Sequence, residues 1–245
     1  MVLLWIGPNP LLCIFKPQFF ENILRKSDFI KKPAGYRFIK QWLGNGLLTS
    51  NGKIWKTKRK LLNPSFQTKI LDDYISSMNE QIEIFIELLN SSLDREFIDI
   101  RQPIINLTLD LILVTVMGIR LDAQKNENNE YINHLNNVLN ISSSRIVNPI
   151  YAVDAIFSLT KVGRLYKESI KALHRFTENI IEERKKVKNG CNECNRRKDF
   201  LDLLIELQAY NSSITDEMLR QDVDTFLFAG HDTTAMCLIW TLFLL

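Results

Sequence analysis

Apolar residues along this chain recur mostly at helical spacing, with one short exception at the start. From Ile70 to Leu93 the positions Ile75, Met78, Ile82, Phe85, Ile86 and Leu89 follow the i, i+3, i+4 rhythm, which predicts a long amphipathic helix. The run "IINLTLDLILVTVMG" from Ile104 to Gly118 is apolar nearly all round and carries Asn106 and Asp110, so it predicts a buried core helix too short to span a membrane. Further helices are expected at Lys53–Gln67, Tyr131–Asn140, Arg164–Lys188 and Phe200–Leu207. The opening "MVLLWIGPNPLLCIF" is broken by Gly7, Pro8 and Pro10, which predicts two short strands around a Pro-Asn-Pro turn. Pro17 then suits the first turn of a small helix. The stretch "KKPAGYRFIKQWLGNGLLTSNG", rich in Gly and Pro, predicts a long ordered loop. The fold class is therefore mainly α with a small N-terminal β element.

The last helix has a defined start, because Thr215 can cap it and Asp216 and Glu217 place negative charge in its first turn. Its apolar pattern runs on through "MCLIWTLFLL" to Leu245 with no glycine, proline or charge to stop it. The helix is expected to be interrupted there and not completed.

Composition narrows the class. With 46% hydrophobic and 24% charged residues in 245, the chain is globular and long enough for a sizeable core. A net charge of +3 is too mild to indicate nucleic acid, and no nucleic-acid partner is expected. The four cysteines form no framework: Cys13 and Cys237 lie in apolar segments, and Cys191 and Cys194 make a lone C-x-x-C without a second ligand pair. The first residues lack a basic segment and a spanning length, so neither a signal peptide nor a membrane anchor is expected within them.

Candidate chemistry sits in "FLFAGHDTTA", Phe226 to Ala235, where small and polar residues interrupt an apolar helix. Phe226, Ala229, Gly230, Thr233 and Cys237 fall near one helical face, a narrow strip beside a hydroxyl. Thr233 can return a hydrogen bond to the Ala229 carbonyl. Isolated glycines and threonines are common in packed helices, and taken singly these residues read as a packing face with a solvated side. In "GKIWKTKRKLLNPSF", Trp55 and Arg59 are four apart and share a face, offering an indole N–H and a forked cation. Taken alone, the run Lys56, Lys58, Arg59 and Lys60 reads as a solvated face.

Taken together the strings are specific. Ala-Gly-His-Asp-Thr-Thr in a long helix, W-x-x-x-R upstream of it, and "LWIGPNP" at the start occur in an order that resembles the cytochrome P-450 monooxygenases, the haem-thiolate superfamily. The words "WLGNGLLTSNGKIWKTKRKLLNPSF" and "DVDTFLFAGHDTTA" are similar to its family-four branch. The resemblance covers residues 1–245 as one partial domain, from the N-terminal strands into the central helix. It implies that haem is held by Trp55 and Arg59, that Ala229 and Gly230 leave room for oxygen, that Thr233 hydrogen-bonds dioxygen and that Asp232 relays protons. It further implies a lipophilic substrate such as a fatty acid, O2, electrons from NADPH through a reductase, and the cytoplasmic face of the endoplasmic reticulum membrane. Residues Ala34–Ser50 would line the distal pocket and Asn140–Arg164 would roof the substrate. His231 is expected to face neighbouring helices.

Two departures matter. No cysteine lies in a loop resembling the family's axial-ligand loop, so no metal ligand is assigned, and the chain is expected to be an inactive fragment without the N-terminal anchor or the cysteine region. A non-catalytic helical protein that binds a lipid or a partner is the alternative. Secondly, Ala229 stands where family-four members commonly carry a glutamate able to esterify haem. Acidified organic solvent is therefore expected to strip all haem from the protein; pigment remaining with the precipitated polypeptide would contradict this.

Overall fold

The computed structural model describes residues 1–6, 9–25, 31–66, 72, 74–94, 96–126, 129–190 and 199–245. The two expected strands are present as β1 (Val2–Ile6) and β2 (Asn9–Cys13), an antiparallel pair with Val2 opposite Cys13 and Leu4 opposite Leu11. Leu3, Leu4, Trp5, Leu11 and Leu12 remain exposed on this hairpin. The helices are α1 (Pro17–Leu24), α2 (Tyr36–Leu43), α3 (Gly52–Leu62), α4 (Tyr74–Asn90), α5 (Arg101–Ile112), α6 (Glu130–Val147), the short α7 (Pro149–Ala152) and α8 (Asp154–Leu159), α9 (Lys161–Gly190), α10 (Phe200–Tyr210) and α11 (Asp216–Leu244). The lone C-x-x-C, Cys191 and Cys194, lies outside the described residues.

Three differences from the sequence reading have physical causes. The Gly/Pro-rich stretch after Lys31 contains α2, because Phe38, Trp42 and Leu43 bury one face of "YRFIKQWL" against α6 and α11. Tertiary packing outweighed the breakers on either side of it. The helix at α3 ends at Leu62, where Pro64 shortens the continuation to a single 3-10 turn, Asn63–Phe66. The buried helix also changes pitch: α5 passes into a π turn at Leu113–Met117 and stops at Gly118 with φ 65°.

The core gathers around α11, which lies between α5 on one side and α9 on the other, with α6 packed on α9. Leu109, Leu113, Tyr166, Leu173, Val223 and Leu227 are essentially inaccessible. By length and composition α11 could cross a membrane. Its first half instead buries Arg220, Asp222 and Asp224 inside the protein, each with a partner. The Thr215 cap is formed, its hydroxyl accepting from the Met218 N–H at 3.2 Å.

The α2–α3 loop meets α11 so closely that Gly46 has no room for a side chain. A Cβ there would lie 2.0 Å from Thr225 Oγ1 and 2.7 Å from the Gln221 carbonyl oxygen. Gly46→Ala should therefore cost about 1–3 kcal/mol by overpacking, read as a lowered melting temperature.

His231 turns into the interior as expected, with both ring nitrogens buried and no hydrogen-bond partner for them among the described residues. Burial lowers its pKa from the ordinary 6.5 to about 4. The folded chain thus keeps the ring neutral where the unfolded chain protonates it, so proton uptake by the unfolded chain removes stability as pH falls from 6.5 toward about 4 and has no effect above 6.5. His231→Leu should melt at or above the parent temperature near neutrality and lose less stability across that acid window; an unchanged pH profile would refute this.

Candidate functional site

At roughly 100° per residue, positions 222, 229, 233 and 240 of α11 fall within about 20° of one line, so Asp222, Ala229, Thr233 and Trp240 form a stripe along the helix. Asp222 is buried at its lower end, Ala229 is half-buried, and Thr233 and Trp240 are exposed. The stripe is anchored below and open above.

The anchoring comes from two neighbours. In the α2–α3 loop, the Asn45 N–H donates to Gln221 Oε1 at 3.0 Å, and the Leu47 backbone N–H donates to the Asp222 carboxylate. From α3, Lys58 Nζ lies 2.7 Å from both Asp222 oxygens, with both side chains buried. Lys58 is thus not part of a solvated face, as its basic surroundings suggested. Burial raises the Asp222 pKa, and the Lys58 charge works against that shift.

Fixing Lys58 fixes the rest of α3. Trp55 and Arg59 lie about 60° and 100° around the helix from it, hence on one flank. Trp55 is half-buried and Arg59 exposed. No carboxylate among the described residues pairs with Arg59, although Arg145, Arg184 and Arg220 are all paired. The α3 flank therefore offers an uncommitted guanidinium beside an indole, a donor set that fits an anionic carboxylate group.

On α11, Thr233 donates to the Ala229 carbonyl at 2.7 Å, the bond expected from the sequence, and Thr234 makes the equivalent bond to Gly230. Asp232 is half-buried beside the stripe, and desolvation raises its pKa. Gly230 does not share the open strip with Ala229 and Thr233. A Cβ at Gly230 would lie 2.5 Å from Ile112 Cδ1, so the glycine admits α5. Together with Phe226, Ile112, Thr115 and Thr234 it borders a separate apolar groove of about 360 Å³ between α4, α5 and α11. Cys237 lies on the exposed side of the same helix as Thr233.

The Lys58–Asp222 contact is the feature that sequence reasoning missed. Its signal was present: two aspartates, Asp222 and Asp224, in the apolar run leading to Phe226 require partners if the helix is buried.

The family model described as Cytochrome P450 matches residues 1–245. Cytochrome P450 4V2 of Rattus norvegicus is 37% identical over 257 residues, covering 100% of this chain and 49% of that protein. The Homo sapiens protein of the same name is 36% identical, covering 99% and 48%, and Cytochrome P450 4c3 of Drosophila melanogaster is 36% identical, covering 98% and 48%. The chain spans about half the length of the curated relatives it matches. With the family pattern matched along all its residues, the chain belongs to the cytochrome P450 family.

Proposed function

We propose that the protein serves a haem-dependent monooxygenase that hydroxylates a lipophilic substrate, such as a fatty acid, with O2 and electrons passed from NADPH by a reductase. The observation that carries this reading is the buried Lys58–Asp222 ion pair, which ties α3, with its free indole–guanidinium flank, to α11, with its open Ala229–Thr233 stripe. The substrate class and a site of action at the cytoplasmic face of the endoplasmic reticulum membrane are what the resemblance of the motifs to the family-four branch implies.

Trp55 and Arg59 would hold the haem propionates, the indole N–H donating one hydrogen bond and the guanidinium a charged fork. When bound, haem supplies the activation of dioxygen. Ala229, with only a methyl group, keeps the stripe low next to the Thr233 hydroxyl. Thr233 Oγ1 donates its hydrogen to the Ala229 carbonyl, so its lone pairs are free to accept a hydrogen bond from a group above the stripe, and by rotating the hydroxyl can donate there instead. The Asp232 carboxyl, its pKa raised by burial, holds a proton to higher pH than a solvated carboxylate and can pass it along the same turn.

Two measurements test this reading. The protein produced from its full open reading frame should give a thiolate-type Soret band when reduced under carbon monoxide, whereas the 245-residue chain supplied with haem should give none; a band from the chain alone would refute the assignment of no axial cysteine. In that same full-length protein, Thr233→Ala should keep its haem yet lower hydroxylated product per NADPH by about tenfold or more, with consumed oxygen appearing as peroxide. Undiminished product yield would remove Thr233 from the mechanism.

A further inference from the structure

We propose that Lys58 and Asp222 are positioning residues, whose ion pair sets the rotation of α3 so that the Trp55–Arg59 flank is presented to the Ala229–Thr233 stripe. The inference rests on the haem reading above. Of the eleven residues in α3, only Lys58 and Leu62 are buried, so little else holds this helix against the body. Just beyond its end, Phe66 stacks within a cluster formed with Phe226 and Phe200, at ring separations of 5.5 and 6.0 Å.

The two attachments differ in kind. Apolar contact at Leu62 and Phe66 is non-directional and tolerates rotation of the helix about its axis. An ammonium placed 2.7 Å from both oxygens of one carboxylate does not. Asp222 is itself held, since it lies on α11 and accepts from the Leu47 backbone. The direction of Lys58 is thereby fixed relative to the stripe, and Trp55 and Arg59 follow through the helix geometry.

A buried ion pair is weak as a source of stability, because desolvation of both charges offsets their attraction, and replacing both partners with apolar residues is often neutral or stabilising. Its value here is orientation. The pair Lys58→Met with Asp222→Leu separates these roles, since it removes direction while preserving burial.

The test uses the protein from its full open reading frame. The double variant should melt at or above the parent temperature yet lose haem to excess apomyoglobin about tenfold faster, comparable to the effect of losing a supporting partner behind a ligand. Hydrogen exchange of the haem-free proteins should be faster at α3 amides in the variant and unchanged in α9. Haem loss at the parent rate, with or without a change in melting, overturns the positioning role. Should the parent bind no haem, the haem reading fails, and exchange at α3 still decides whether the pair holds the helix.

Discussion

The first half of α11 buries more polar groups than any helix could tolerate without partners, and the arrangement of its neighbours answers that need. Arg220 donates to Asp224 at 2.8 Å, and Thr177 of α9 donates to the same carboxyl at 2.6 Å. His174 of α9 reaches the Trp42 carbonyl of α2 at 2.8 Å, linking the same region to a third helix. Lys58 and the Leu47 amide satisfy Asp222. Leaving any of these groups unpaired in the interior would cost far more than the net gain from one hydrogen bond. Four segments, α2, the loop after it, α3 and α9, are held in place by that requirement.

Because the anchoring stops near Phe226, α11 has two different halves. Below, it is a core helix with directional polar contacts. Above, its stripe of Ala229, Thr233 and Trp240 is open, while the opposite side stays packed through His231 and Ala235. A rigid lower half therefore presents a small-residue surface at a fixed height and orientation, a condition for placing a hydroxyl and a carboxyl accurately.

The threonines of the open half are satisfied locally. Thr233, Thr234 and Thr241 each return a hydrogen bond to the carbonyl four residues earlier, at 2.7 Å. Gly230 serves the packing of α5, not the open strip, which separates two roles that a linear reading merges.

The helical character, the N-terminal hairpin, the Thr215 cap and the Thr233–Ala229 bond were all legible in the sequence, because each depends on local periodicity, turn chemistry or i, i+4 proximity. So was the pairing of Trp55 with Arg59 on one face of α3. Helix α2 was hidden by flanking glycines and prolines, since its stability comes from Trp42 and Leu43 packing against distant helices. The identity of Lys58 as an interior residue could not be read from a run of four basic residues among five, because only contact with Asp222, 164 positions away, distinguishes it from its solvated neighbours. Sequence by itself determined which residues share a helix face; tertiary structure decided which face meets which, because burial and charge pairing are set between segments and not along them.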